Sequence, residues 1–257
     1  IRFMKISIIT VVWNSVKTIK DTIESVLSQK YKNIEYIVID GGSTDGTLSL
    51  LESRRDQLSA LVCEPDEGIY DAMNKGIKLA KGDVIGFLNS DDFYLNNEVI
   101  SKVAREFARD PSLDANYADL IYVDKINTSK VVRYFKSSEF KQGLFLKGWC
   151  PAHPTFFVRK SIYKRHGNFD LNYRLASDVE LMMRFLEKHK IKSLYTPEVW
   201  VKMRMGGASN KNLKNIWLQN KEILNSFYKN GLQINPIFFF IYKIISRIQQ
   251  YIKKKSL

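Results

Sequence analysis

The sequence predicts an α/β protein: a mostly parallel central sheet with helices on both faces. Three observations predict it. In the first half, apolar stretches of strand length alternate with amphipathic stretches of helical period. The strand-like stretches are almost continuously apolar, as strands buried on both faces are. Each of them also stops at a polar, turn-forming cluster, and ligands bind at the carboxyl ends of parallel strands.

Taken in order, "KISIITVV" (5–12) reads as a β-branched strand ending at Trp13-Asn14-Ser15. "TIKDTIESVLSQ" (18–29) is helical, with Ile19, Ile23, Val26 and Leu27 on one face. "IEYIVID" (34–40) is a second strand, stopped by "GGSTDGT" (41–47), where Asp45 has the chemistry of a helix cap. A short helix through Leu48 and Leu51 leads to the strand "SALVC" (59–63). "GIYDAMNKGIKLA" (68–80) is a helix with Ile69, Ala72, Met73, Ile77 and Ala80 on its apolar face. "DVIGFLN" (83–89) is the fourth strand.

The second half mixes its elements. Strands are expected around 119–123, 130–136, 154–158 and 193–201, and helices around 97–108, 160–166, 178–190 and 211–230. No internal repeat or low-complexity linker interrupts them.

A chain of 257 residues, 45% apolar and 26% charged, can bury a full core. Its charge is unusual. Forty Lys and Arg against 27 Asp and Glu leave a formal +13, which favours polyanionic partners: nucleic acid, an anionic membrane surface or phosphorylated substrates. Much of the excess follows residue 210, where Lys211, Lys214, Lys221, Lys229, Lys243, Arg247, Lys253, Lys254 and Lys255 meet a single acid, Glu222. Cys63 and Cys150, far apart, form neither a disulfide framework nor a metal cluster, so a reducing compartment is expected. "IRFMKISIITVVWN" lacks a small-residue cleavage site, and no apolar run reaches the ~20 residues of a spanning helix. The expected location is cytoplasmic.

The fourth strand ends in Asn89-Ser90-Asp91-Asp92. Adjacent carboxylates repel unless a cation or a donor network compensates them. One reading is a solvated turn that caps a helix starting near Asn97. The other is a site for a hard cation such as Mg²⁺, which takes carboxylate oxygens and leaves positions open for phosphate. Trp13-Asn14, Asp40-Gly41-Gly42 and Glu64-Pro65-Asp66 end neighbouring strands on the same rim, which favours the second reading.

The ordered set "SIITVVWN", "IDGGSTDGT", "EPDEGIYDAMNKGIKLAKGD", "IGFLNSDD", "HPTFFVRKSIY" and "SDVELMMRF", over about residues 4–210, resembles the family 2 glycosyltransferases with the GT-A fold. Bacterial members that build colanic acid, capsules and O-antigens are the most similar in these motifs. The resemblance implies a Rossmann-like GT-A catalytic domain over 1–210, with a nucleotide-binding half to about 95 and an acceptor-binding half over 96–210. Residues 211–257 then form a C-terminal helical extension. It implies inverting transfer of a sugar from a nucleotide-sugar to an acceptor hydroxyl, with a divalent cation, Mn²⁺ or Mg²⁺, on the departing diphosphate. A UDP-sugar is the favoured donor, with GDP- and dTDP-sugars as alternatives.

By the same resemblance "NSDD" is an xDD variant of the family's DxD motif, with Asp92 the metal ligand and Asp91 the partner of the ribose or of metal-bound water. Trp13 and Asp40 occupy the base-binding corner. Many relatives carry two acids before "GS", whereas here Gly41 follows Asp40, which leaves the base open. Asp66 is placed to touch base or ribose, and Lys75 to approach the phosphates or stand on a solvated helix face. Asp178 in "LASDVELMMRF" fills the position of the general base, with a helix N-cap as its structural alternative and Glu180 as a second acid. Trp149 and His153 flank the acceptor cleft. "RMGGASNKN" (204–212) resembles the loop over the donor phosphates, with Arg204 or Lys211 meeting the diphosphate and no His to complete a metal shell.

In "NPIFFFIYKIISRIQQYIKKK" (235–255), Ile241, Ile244, Ile245, Ile248 and Ile252 repeat at helical spacing with Lys243, Ser246, Arg247 and Gln250 opposite. Such a helix suits an anionic membrane surface, contacted through 236–257, or packing on the catalytic domain or on a second copy in a homodimer. The acceptor implied is a glycan or lipid-linked glycan in surface-polysaccharide assembly, with the enzyme peripheral to the inner face of the plasma membrane. A sugar nucleotidyltransferase needs a Gly-rich N-terminal loop, and residues 10–20, "TVVWNSVKTIK", contain no glycine. A basic nucleic-acid-binding module leaves the rim of acids unexplained, so no nucleic acid partner is expected.

Overall fold

The structure, a computed structural model, describes residues 4–206 and 213–252. Among them nine strands form one sheet: β1 (Ile6–Val12), β2 (Ile34–Asp40), β3 (Ala60–Cys63), β4 (Val84–Phe87), β5 (Phe93–Tyr94), β6 (Ala115–Val123), β7 (Val131–Phe135), β8 (Phe157–Arg159) and β9 (Ser193–Arg204). Their order is β3-β2-β1-β4-β8-β6-β9-β5, with β7 paired to β6. The helices are α1 (Ile19–Leu27), α2 (Thr47–Glu52), α3 (Ile69–Leu79), α4 (Val99–Arg109), α5 (Lys160–His166), α6 (Ser177–Met183), α7 (Leu213–Lys229) and α8 (Pro236–Ile252).

The first four strands are parallel, with β1 matched to β2 from Ile6↔Ile34 to Val12↔Asp40 and to β4 on its other side. Every β1 residue is buried because the two-residue period sends alternate side chains into two cores. Ile9, Val11, Ile37 and Ile39 pack with Ala72, Met73 and Ile77 of α3. Ile6, Ile8, Val12, Tyr36 and Val38 pack with Ile19, Ile23 and Val26 of α1. All four strands thus point their carboxyl ends to one rim.

Beyond β4 the sheet becomes mixed: β8 runs antiparallel to β4 and β6, while the long β6–β9 ladder is parallel. The expected strand at 154–158 starts only at Phe157, because Pro154 cannot donate to a ladder and His153–Thr155 form a 3₁₀ turn. The expected helix at 178–190 is α6 followed by a π-helical turn, Arg184–Lys188. No helix follows the acid pair directly. Instead Phe93 and Tyr94 form β5, paired with Lys202 and Val201 of β9, and α4 starts at Val99 after Glu98 with no side-chain cap. The capping-turn reading of Asp91 and Asp92 therefore does not apply.

The C-terminal helices are closely tied to the second half of the chain. Glu222, Ser226 and Phe227 of α7 are buried. Tyr173 Oη donates to Asn225 Oδ1 over 2.8 Å. α8 lies against residues 145–148 and β7. Among the described residues, no helix is long and apolar enough to cross a membrane.

Candidate active site

Trp13, Asp40 and Asp66 stand where β1, β2 and β3 end. Trp13, just past β1, is 67% exposed, so its ring is open to a stacking partner. Its neighbour Asn14 takes a left-handed φ of 48°, receives Thr44 N–H on Oδ1 at 2.8 Å and donates its own N–H to Ser43 Oγ at 2.8 Å. Asp40 is fully buried. Its Oδ2 accepts from the backbone N–H of Gly42 (3.1 Å) and Ser43 (2.9 Å) and from Cys63 Sγ (3.1 Å), while Oδ1 accepts from Ser43 Oγ (2.5 Å). Asp40 therefore shapes the 41–43 turn with both oxygens.

Asp66 reaches the same place from the next strand end. Its Oδ1 accepts Gly68 N–H at 2.9 Å, and its Oδ2 lies where a Cβ on Gly41 would overlap it. The missing side chain at 41 is thus replaced in space by a carboxylate from the loop after β3. Lys75 is held by that loop rather than pointing to open rim: it pairs with Glu64 (3.0 Å) and Asp71 (3.2 Å) and donates to Pro65 O (2.9 Å). Asp45 accepts from Thr47 N and Oγ1 and from Val16 N, one residue before Gly46, the cap of α2.

The acid pair follows β4 in a tight turn, Asp92 N–H donating to Asn89 O at 3.0 Å. Thr22 Oγ1 of α1 donates to Asp92 O at 2.7 Å, and Ser15 and Ser90 share a 2.9 Å hydroxyl contact. Asp92 is completely buried. Its Oδ1 accepts Arg204 N–H at 3.2 Å, and its Oδ2 has no partner among the described residues. Burial, with the Asp91 charge adding, pushes its carboxyl well above the usual range. Burial also raises Asp91, with Arg204 and Lys125 opposing. Arg204, 5% exposed, donates from Nη1 to Asp91 O at 2.7 Å, pairs with Asp21 of α1 and lies over the Phe93 ring. It braces the acid turn in this structure. Lys211 lies outside the described residues.

Buried polar atoms normally find partners, so an orphaned carboxylate oxygen marks a place for a ligand. Among the described residues, no three His, Cys, Asp or Glu side chains cluster to hold a metal. Two adjacent acids without further protein ligands fit a hard cation that shares its shell with diphosphate oxygens and water.

Asp178 lies in the first turn of α6. It is the second residue of α6, whose cap is Ala176, so the N-cap alternative is not what the structure shows. Its half-buried carboxylate accepts the Tyr70 hydroxyl at 2.9 Å. Glu180 is fully buried and bonded to Arg184 and Asn230, leaving it no access to a substrate. His153 is buried, stacked on Phe87 (5.4 Å) and edge-on to Phe169 (5.6 Å). Burial lowers its pKa, the Asp178 charge opposing. Trp149 sits half-buried among Tyr117, Phe140 and Phe145, its buried indole N–H without a partner among the described residues. Phe87 ends β4, the strand that delivers Asp91 and Asp92, so its stack with His153 links the two acidic centres.

Tyr70, Asp21 and Glu222 were not singled out from sequence. Tyr70 lies inside the "EPDEGIYDAMNKG" segment, in the first turn of a helix whose start faces the rim, and that placement was the available signal.

The family model "Glycosyl transferase family 2" matches residues 7–167. A PGL/p-HBAD biosynthesis glycosyltransferase of Mycobacterium bovis is 29% identical over 209 residues, 79% of this chain and 78% of that protein. The Escherichia coli UDP-Glc:alpha-D-GlcNAc-diphosphoundecaprenol beta-1,3-glucosyltransferase WfaP is 28% identical over 240 residues, 91% and 92% of the two chains. Among solved structures, S. aureus TarS 1-349 superposes with a TM-score of 0.65 at 20% identity, covering 99% of this chain and 76% of that one. The mannosyltransferase PcManGT of Pyrobaculum calidifontis, in complex with GDP-Man and Mn²⁺, superposes with a TM-score of 0.65 at 16% identity, covering 95% and 69%. These likenesses confirm the GT-A fold, and the model match, spanning more than half of the sequence, shows that the chain belongs to glycosyl transferase family 2.

Proposed function

We propose that the protein is an inverting, divalent-metal-dependent glycosyltransferase acting in bacterial surface-polysaccharide assembly. The donor is a nucleotide-sugar, a UDP-sugar first among the candidates. The acceptor is a hydroxyl of a lipid-linked or growing glycan, met at the inner face of the plasma membrane to which residues 236–257 attach the enzyme. The names of WfaP, a diphosphoundecaprenol-linked acceptor user, and of TarS in complex with UDP-GlcNAc support this choice of substrates.

One observation carries the reading. Asp92, just past β4, keeps a fully buried carboxylate oxygen that has no partner among the described residues, and Asp178 lies within electrostatic reach of His153, which stacks on Phe87 at the end of β4. In this reading Trp13 stacks on the base, and Asp66, beside the turn shaped by Asp40, reads base or ribose. Asp91 and Asp92 hold Mn²⁺ or Mg²⁺, braced by Arg204. When bound, such an ion neutralises charge on a departing diphosphate.

Asp178 takes the proton of the acceptor hydroxyl as that oxygen bonds to the anomeric carbon. The bond from that carbon to the diphosphate breaks on the opposite face, so configuration inverts. Tyr70 orients Asp178, while His153 and Trp149 line the acceptor side.

A thermal-shift screen of UDP-, GDP- and dTDP-sugars with Mn²⁺ or Mg²⁺ tests the reading. A donor- and ion-dependent rise in Tm is expected, lost in Asp91→Ala/Asp92→Ala. No shift with any donor, or full transfer by Asp178→Asn, would overturn it.

A further inference from the structure

α8 turns a mixed face, two aromatics with a lysine and a serine, to the protein. Phe239, Phe240, Lys243 and Ser246 turn to the protein, while Ile237, Phe238, Ile241, Ile244, Ile245 and Ile248 remain exposed, from 46% to 70%. The Lys243 backbone packs on Gly148, whose φ of 70° and lack of Cβ allow the approach, and Lys243 Nζ donates to Asn220 Oδ1 at 2.7 Å. Burial lowers that ammonium to about 8, so the contact is made against a desolvation cost. An apolar stripe left in water while a lysine is half-buried is the reverse of a helix packed for stability.

The exposed charges of α7 and α8 share one sign. Lys214, Lys221 and Arg247 are exposed on α7 and α8, and lysines 253–255 follow in sequence. The single acid after residue 210, Glu222, is buried with its carboxylate committed to backbone N–H groups. An apolar stripe on a pair of helices whose exposed charges are all cationic matches an anionic lipid surface.

We infer that the exposed stripe of α8 lies in an anionic bilayer interface and that its seat on Gly148 turns the acceptor cleft towards that bilayer. This rests on the proposed transfer to a lipid-linked acceptor and adds the orientation. The path from helix to base is short: Lys243 packs on Gly148, and half-buried Cys150, two residues on, lies within electrostatic reach of both Lys243 and Asp178. A glycan anchored in the bilayer then meets Asp178 close to its anchor, while a water-soluble donor enters at the rim around Gly41 and Asp66.

The test uses the full chain with vesicles of phosphatidylglycerol and phosphatidylcholine, and phosphatidylcholine alone as control. Sedimentation with the anionic vesicles is expected, weakened at least about tenfold in Ile241→Glu/Ile245→Glu. Vesicles should protect 145–153 and 237–248 from hydrogen exchange and leave 41–46 and 64–68 unprotected. Nucleotide release from a UDP-sugar, unchanged in the stripe variant, reports separately on the transferase reading. Equal sedimentation of the variant, protection centred on the donor rim, or a wild-type dimer that the stripe variant dissociates would each overturn the inference.

Discussion

Tyr70 of α3 donates its hydroxyl to Asp178 of α6 over 2.9 Å, so the donor-side helix holds the carboxylate proposed as base. Burial, with the Asp178 charge adding, raises the phenol well above its usual value, and it stays a donor at any working pH. Tyr70→Phe keeps the ring stacked on Phe169 and removes only this bond. A hydrogen bond to a charged group contributes about 1.5–3 kcal/mol, so kcat should fall roughly ten- to a hundredfold. Asp178→Asn should cost roughly 10²–10⁴ in kcat. Calorimetric donor affinity should change in neither variant. An unaltered kcat in Tyr70→Phe would show that Asp178 needs no orienter.

Gly41→Ala tests the donor corner with one methyl group. The new Cβ would overlap Asp66 Oδ2, at the free end of a side chain on an exposed loop, so the carboxylate moves and the sheet does not. Donor KM should rise about tenfold, the equivalent of ~1.4 kcal/mol for one charged contact, with Tm little changed. Asp66→Ala should match it, and the double variant should add nothing further. A fully additive double variant would separate Gly41 from Asp66.

The parallel half was legible because β1 and β2 are covered on both faces, so their apolar runs are unbroken and end at a shared rim. β5 was not legible: two residues carry no period, and only the partner β9 makes them a strand. Arg204 read as a phosphate arm because its segment resembles the family's loop over the donor phosphates, yet its guanidinium is fixed by Asp21, 183 residues away in sequence. The stripe on α8 was visible as a pattern, but sequence does not say which side of an amphipathic helix meets the protein. Here the side bearing Lys243 does.

Acid should destabilise the fold through its histidines. Burial lowers His153, His166 and His189 below the ordinary 6.5, so beneath that pH the unfolded chain binds more protons than the folded one. Stability is therefore expected to fall as pH drops from about 6.5 through the lowered folded values. His153→Phe preserves the packing on Phe87 and Phe169 and removes one titrating site. Its urea-unfolding free energy should decline less steeply below pH 6.5 than that of the wild type. Identical slopes would place the acid sensitivity elsewhere.

Glu222 ties α7 to the backbone just ahead of Asp178, the proposed base. Its two oxygens accept the backbone N–H of Arg174 (2.9 Å) and Leu175 (2.8 Å), just ahead of α6, and its side chain is buried. Glu222→Gln leaves one of those N–H groups facing an amide NH₂. An unsatisfied buried donor costs about 1–3 kcal/mol, so Tm should drop and the 174–176 segment should exchange its amides faster. If that segment positions Asp178, kcat falls while donor KM stays. Glu52→Gln, which loosens an exposed pair with Arg55, serves as the control and should change neither. A lower Tm with wild-type kcat would make Glu222 a support of the fold alone, and α7 would drop out of the catalytic argument.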